Sequence, residues 1–302
     1  MAINTTLRFG KALIKNWKYS PRRKKVNVSF EITDVILDRL IEVAREAGDI
    51  TLKYFKQDIP IQIKENNSPV TKADQEAEAA ILKVLREIAP EITIVAEEEV
   101  AAGFSPDHTG LNDFWLVDAL DGTKEFINKR PTYTVNIAFM KDKEPYFGLI
   151  YAPAKDHMMY GFADQSEAYF YDLEEKTFKG VTTVDKKQDD NLNIVTSLSQ
   201  SNGESFKKYI EPLNVAEIKH YGSSLKFCAM AMGLADIYPR FKPTSEWDTA
   251  AGHAILRAAG GDIFTTDGEP LTYAKRADFL NPYFIAKTKS VSLIMDEADL
   301  DT

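Results

Sequence analysis

The sequence predicts an α+β lobe followed by an α/β lobe. Residues 31–185 read as two helices and then a run of strands. Residues 186–302 read as strands and helices in alternation. A polar stretch, DKKQDDN at 185–191, stands between them as the expected boundary. Residues 1–30 form a separate basic extension. A chain of 302 residues is long enough for two packed lobes.

Each element rests on its own pattern. Residues 31–56 place Val35, Ile36, Leu40, Val43, Ala44, Ala47 and Ile50 on one stripe near the 3.6-residue period, which predicts a helix. The segment KENNSPVTKAD, 64–74, is rich in turn formers. QEAEAAILKVLREIAP, 75–90, predicts a second helix that stops at Pro90, and Thr71 and Asp74 have the spacing of a capping box at its start. ITIVAEEE, 92–99, predicts a short strand ending in acids. FWLVDAL, TVNIAFM and YFGLIYAP, at 114–120, 134–140 and 146–153, predict three more strands. Residues 158–181 have hairpin character. In the second lobe NIVTSL and DIYPRF read as strands. Residues 222–235 and 247–261 read as helices, the latter ending in two glycines.

Composition excludes several classes. No apolar run approaches the roughly 18 residues needed to span a bilayer. Cys228 is the only cysteine, so an intrachain disulfide and multi-cysteine zinc sites are excluded. The net charge of −9 argues against nucleic-acid binding by the body of the protein. That charge is uneven. Residues 1–30 hold eight Lys or Arg and no acid, leaving 29 basic against 46 acidic residues elsewhere, a formal −17. Three readings of this head stand side by side. It is a basic extension or over-called start, a transit-type segment, or a contact with an anionic membrane surface through RRKK at 22–25. The expected compartment is cytoplasmic and reducing; on the third reading of the head, residues 1–30 would add a peripheral contact at the cytoplasmic face of the inner membrane. The oligomeric state is not legible.

Acids collect where strands end or helices begin: Asp74, Glu97 to Glu99, Asp118, Asp121 and Asp248. No His or Cys belongs to the set. Oxygen-only ligation suits a hard cation, Mg²⁺ above all. Asp118 and Asp121, D-x-x-D over a turn, can point into one space. A carbonyl between them, from Ala119 or Leu120, could complete a shell. The plain structural alternatives are a helix cap for Asp248 and a solvated loop for Glu97–Glu99. Gly122-Thr123 after Asp121 shifts the balance. A helix starting near Thr123 would offer backbone amides and its dipole to a phosphate. A Thr hydroxyl beside a carboxylate can orient and deprotonate water.

These residues carry a resemblance. VDALDGTKEF (117–126), WDTAAG (247–252) and AEEE (96–99) resemble the three signatures of the inositol monophosphatase superfamily. NSPVTKAD (67–74), GSSLKFC (222–228), YPRFKPT (238–244) and FLNPYFIA (279–286) look like the bacterial CysQ-type 3'(2'),5'-bisphosphate nucleotidases. The resemblance covers roughly residues 34–290. It implies a layered αβαβα sugar-phosphatase fold with the active site between two lobes. It also implies Mg²⁺-dependent hydrolysis of the 3'-phosphate of adenosine 3',5'-bisphosphate to AMP, with the sulfated nucleotide PAPS as a further substrate, and sensitivity to Li⁺. One departure is Ala119, where the family usually has Pro; Ala leaves the ligand loop looser.

Roles follow from the resemblance. Glu97, Asp118 and the Leu120 carbonyl would hold one Mg²⁺, and Asp118, Asp121 and Asp248 a second. Asp74 would join a third, weaker ion and the attacking water, with Thr123 as partner. The Gly122 and Thr123 amides would bind the scissile phosphate. Ser224, Lys226 and Arg240, beside Asp248, would contact the rest of the nucleotide. Lys64 is either a source of positive charge or a solvated lysine. His253 reads as a packed helix histidine and Cys228 as a small core residue. The rival functions are an inositol- or sugar-phosphate phosphatase, and a non-catalytic ligand-binding member of the fold.

Overall fold

The computed structural model describes residues 30–57, 62–63, 69–172, 174–184, 186 and 190–292. Residues 1–29, and with them the membrane-contact reading, lie outside the described residues, as does Lys64. From Ile32 onward the described residues form one compact unit. Among the described residues no helix is long and apolar enough to cross a membrane.

Thr33 caps α1 (Asp34–Phe55), which buries Leu40, Val43, Ala44 and Ala47 of the predicted stripe. The short antiparallel pair β1 (Gln62–Ile63) and β2 (Pro69–Val70) leads to α2 (Lys72–Ile88). α2 begins three residues before the predicted start because Thr71 and Asp74 do form the capping box. β3 (Thr93–Ala96) is shorter than the expected 92–99 strand. Its acids instead make the first turn of α3 (Glu97–Ala101), where the helix dipole favours negative charge.

β4 (Phe114–Asp121) is buried almost throughout and runs into α4 (Thr123–Ile127). β5 (Thr134–Lys141), β6 (Glu144–Ala152), β7 (His157–Phe162), β8 (Glu167–Asp172) and β9 (Thr177–Val181) follow as a meander. The segment with hairpin character thus makes three strands. With β3 they form a seven-stranded sheet, β3-β4-β5-β6-β7-β8-β9, antiparallel except for the parallel β3–β4 pair.

After the polar stretch come β10 (Leu192–Thr196), α5 (Glu204–Ile210), β11 (Val215–His220), α6 (Leu225–Ala231), β12 (Ile237–Arg240), α7 (Glu246–Ala259), β13 (Gly261–Thr265) and β14 (Phe284–Thr288). Their sheet has the order β11-β10-β12-β14-β13. α6 is shorter than the expected 222–235 helix, because Ser223 and Gly233 hold left-handed backbone on either side (φ +53° and +69°).

The layers alternate as α, β, α, β, α. α1 and α2 cover one face of the seven-stranded sheet, and α7 with α6 covers the other. The same two helices pack on the five-stranded sheet, whose far face carries α5. Alternation along the strands sorts the side chains. Val195, Tyr238 and Phe284 join α6 and α7 in the central core, while their neighbours Ile194, Ile237 and Ile285 join Phe206 and Tyr209 of α5.

α7 approaches the seven-stranded sheet closely at Gly148 of β6. A Cβ there would stand 2.1 Å from the Ala251 carbonyl oxygen. Gly148→Ala should therefore cost about 1–3 kcal/mol by overpacking. Calorimetric unfolding checks this, and an unchanged Tm would mean that α7 shifts freely. The contact matters because the first turn of α7 carries Asp248 into the site.

Candidate active site

A β-bulge aims the two aspartates of β4 into one space. Residues three apart on a strand point to opposite faces. In β4, however, Asp118 faces Asn136 of β5 and Asp121 faces Thr134, so three steps on one strand match two on its neighbour. The extra residue turns Asp121 back to the face of Asp118, which is the face covered by α7. Four helices also begin here: α2 with Asp74, α3 with Glu97, α4 with Thr123 and α7 with Asp248.

Each carboxylate is gripped on one side. Asp74 and Asp248 are both third residues of capping boxes. Asp74 Oδ2 accepts from the Thr71 N–H at 2.8 Å and the Thr71 hydroxyl at 2.6 Å. Asp248 Oδ2 accepts from the Ser245 N–H at 2.8 Å. In each residue the cap engages Oδ2, so a cap and a ligand are compatible roles for one aspartate. Asp118 Oδ1 accepts from the Leu120 N–H at 2.9 Å. Asp121 Oδ2 accepts from the Ser223 hydroxyl at 2.5 Å, the Ser224 N–H at 2.8 Å and Asn136 Nδ2 at 3.4 Å.

The structure brings three of the acids that the sequence singled out into one group. Carboxylate oxygens of Glu97, Asp118 and Asp248 lie within 4.8 Å of one another. The Thr123 hydroxyl lies 3.5 Å from both Asp74 Oδ1 and the Leu120 carbonyl oxygen. Gly122 has φ +89°, a left-handed conformation that L side chains rarely adopt, and it has no side chain to cap α4. Lys226 is buried beneath the turn. Its ammonium donates to the Ser223 carbonyl and stands 5.2 Å from the Tyr238 ring centroid. The Arg240 guanidinium donates to the carbonyls of Lys242 and Pro243. The Ser224 hydroxyl bonds Asn136 Oδ1 at 2.7 Å and Thr134 at 2.8 Å, so its observed contacts are with residues that hold the site.

The electrostatics test whether a cation fits. Burial pushes Asp118 and Asp248 well above the usual carboxylate range, and Glu97 and Asp121 add repulsion to both. Burial raises Asp74 to about 6. Such a group of buried acids repels itself unless it is protonated or shares a cation. All the side-chain donors are oxygens, which suits a hard divalent ion and disfavours zinc. Glu97, Asp118 and Asp248, with Asp121, Asp74 and the Leu120 carbonyl around them, can hold such an ion.

Asp74 and Glu78 have folded values near 6 and 8, above their ordinary ones. Between those ordinary values and the raised ones, the folded state binds more protons than the unfolded state. Their contribution is therefore present at low pH and is lost as pH rises through about 6 to 8. With chelator, Tm should be lower at pH 8 than at pH 6, and added divalent cation should raise Tm more at pH 8. Equal increments at the two pH values would contradict this.

Three supporting residues escaped the sequence reading. Asn136 was a polar residue within the apolar run TVNIAFM, a visible signal. Ser223 lay inside a quoted motif, but its left-handed backbone was not legible. Glu78 lies four residues after Asp74 on the same face of α2. Its two carboxylate oxygens accept from the Glu98 and Glu99 N–H groups at 2.8 Å each, fixing the start of α3. Burial, with repulsion from Glu98 and Glu97, raises Glu78 to about 8 against the pull of these amides.

His253 is buried, with its ring nitrogens 3.1 Å from the Tyr273 hydroxyl and 2.7 Å from Asp262, and belongs to the packing of α7. Cys228 is buried in the central core, where burial pushes its thiol up to about 12.

Comparison with known proteins agrees with this geometry. The pattern of the inositol monophosphatase family matches residues 33–292. The 3'(2'),5'-bisphosphate nucleotidase CysQ of Shigella flexneri is 39% identical over 252 residues, 82% of this chain and 98% of that protein. The Buchnera aphidicola CysQ is 39% identical over 270 residues, 87% and 98%. The crystal structure of CysQ from Bacteroides thetaiotaomicron superposes with a TM-score of 0.70 at 36% identity, covering 83% of this chain and 96% of that one. The Thermotoga maritima IMPase, at 23% identity, TM-score 0.68 and coverage of 84% and 92%, shares the fold. The match over residues 33–292 and the 39% identity to CysQ along nearly its whole length mean that this chain belongs to the inositol monophosphatase family.

Proposed function

We propose that the protein is a Mg²⁺-dependent 3'(2'),5'-bisphosphate nucleotidase that hydrolyses the 3'-phosphate of adenosine 3',5'-bisphosphate and accepts PAPS. One observation carries the substrate reading. Lys226 and Arg240 both lie within electrostatic reach of Asp248, on the flank of the carboxylate cluster. This pair of cations attracts a second phosphate, and an inositol monophosphate carries none. The CysQ names of the relatives support the same reading.

Glu97, Asp118, Asp121, Asp248 and the Leu120 carbonyl would hold two Mg²⁺ ions, and Asp74 would contribute to a third. Bound there, the ions supply Lewis-acid stabilisation of the charge on the phosphoryl and leaving oxygens. The chain supplies position and proton transfer. Thr123 and Asp74 orient a water molecule, and Asp74 Oδ1 takes its proton. The N–H groups of Gly122 and Thr123 face the scissile phosphate at the start of α4. The water oxygen bonds to phosphorus as the opposite P–O3' bond breaks, the 3'-oxygen leaves to take a proton from solvent, and the phosphate configuration inverts. Lys226, buried under the turn, acts on the second phosphate through its field, and Arg240 supplies a planar donor pair for it.

The test is phosphate release from adenosine 3',5'-bisphosphate and inositol 1-phosphate, with Mg²⁺ and then with chelator. A strong Mg²⁺-dependent preference for the nucleotide is expected. Burial lowers the Lys226 ammonium to about 8, so its charge is present below that pH and lost above it. The kcat/KM for the nucleotide should therefore fall as pH rises through about 8. Lys226→Met should raise KM for the nucleotide about tenfold and remove that limb, leaving the inositol ester little affected. Preference for the inositol ester would keep the metal site and overturn the roles of Lys226 and Arg240.

A further inference from the structure

A cavity of about 190 Å³ lies between the β6–β8 region of the large sheet and α6, and its lining shares no residue with the carboxylate cluster. Met158, Met159, Phe170, Cys228 and Met232 form much of its wall. Protein interiors leave few voids larger than a water molecule. An apolar void of ~150 Å³ stays dry and admits a benzene-sized guest. The space here suits a single aromatic ring.

The lining also has a polarity. Lys155 and His157 are its basic members, and it contains no acid, although the chain outside its head is strongly acidic. Among the described residues Lys155 makes no ion pair, and its neighbour Asp156 is engaged by Arg45 and by the Tyr151 hydroxyl instead. His157 stands edge-on to Phe170 with ring centroids 5.4 Å apart. Burial and the charge of Lys155 lower the His157 imidazole against the opposing pull of Asp156.

We propose that this cavity is a second ligand site, for a small aromatic carboxylate. The ring lies among Met158, Met159, Phe170 and Met232, and the carboxylate pairs with Lys155. The site stands behind the turn that holds Asp121. Tyr221 lines the cavity and directly precedes Gly222, Ser223 and Ser224, whose last two residues donate to Asp121. α6 carries Cys228 in the cavity wall, and its Lys226 donates to the Ser223 carbonyl. A bound ring therefore bears on the backbone that positions Asp121.

The test uses the full chain with ¹³C-methyl methionine and ¹⁵N labels, titrated with phenylacetate, phenylacetamide and acetate. Phenylacetate should move the Met158, Met159 and Met232 methyl signals, with a Kd of about 1 mM or tighter. The Ser223 and Ser224 amide signals should move in step. Lys155→Met and Lys155→Gln should each weaken phenylacetate about tenfold and leave phenylacetamide unchanged. Acetate alone should do nothing. Absence of methyl shifts at about 10 mM phenylacetate would overturn the site. So would equal binding of phenylacetamide, which makes the cavity a neutral apolar void. Methyl shifts that follow protein concentration without any probe, together with a doubled sedimenting mass, would mean that a second copy covers this face and would overturn it too. Methyl shifts with static Ser223 and Ser224 signals would overturn the link to Asp121.

Discussion

Asp121→Asn should lower kcat/KM by at least about 10²–10³-fold while Tm stays within a few degrees. The reason is the asymmetry of its surroundings. Oδ2 accepts from the Ser223 hydroxyl, the Ser224 N–H and Asn136 Nδ2. An asparagine keeps its carbonyl oxygen toward these three donors, which turns its NH₂ group toward the cation site. An amide nitrogen in that position cannot act as a ligand. The reverse orientation sets NH₂ against three donors and costs more. Stability is spared because the substitution also removes a charge that repels Asp118 and Asp248. Steady-state kinetics with a thermal melt decides the matter. Wild-type turnover in a folded variant would remove Asp121 from the site.

Glu78→Ala should lower Tm by roughly 5–10 °C and weaken divalent-cation binding about 10- to 100-fold. Glu78 touches neither substrate nor cation in the proposed mechanism and acts as a positioning residue. Its two oxygens satisfy the N–H groups of Glu98 and Glu99, so they set the direction in which Glu97 leaves α3. Truncation leaves two amides without their acceptor, at a cost of about 2–4 kcal/mol. Glu78→Gln keeps one acceptor and should fall between wild type and Glu78→Ala in both properties. Titration calorimetry with Mg²⁺ or Mn²⁺ reads the binding directly. A lowered Tm with unchanged cation affinity would reduce Glu78 to a structural cap.

The two residues show how far a linear reading reaches. Asp121 was legible because its chemistry is written in neighbours: an apolar run, a second carboxylate, then Gly122 and Thr123. Glu78 was not, because its role depends on α3 arriving beside α2, with Glu98 standing 20 positions further along the chain. Serine at 224 was legible as a motif residue. That its backbone grips Asp121 and its hydroxyl bonds Asn136 and Thr134 depended on the partner strand. The elements overlooked were short or half-polar. β11 lies at the edge of its sheet and buries no residue fully, so it carries little hydrophobic pattern. The expected strand at 92–99 broke at Glu97 because four residues sufficed to pair with β4, after which a helix start stabilised the acids.

The sequence by itself determined the long helices, the buried strands of the large sheet, the capping box before α2 and the membership of the acidic set. All of these rest on local periodicity, local propensity or residue chemistry. The tertiary structure decided which face each acid occupies and what holds it there. The bulge between Asp118 and Asp121, the gripping of Asp121 by Ser223 and Ser224, and the arrival of Asp248 on α7 require partners far along the chain. Burial is likewise a property of the packed layers. It sets Glu97, Asp118, Asp121 and Asp248 against one another as a self-repelling group of carboxylates that suits a divalent cation.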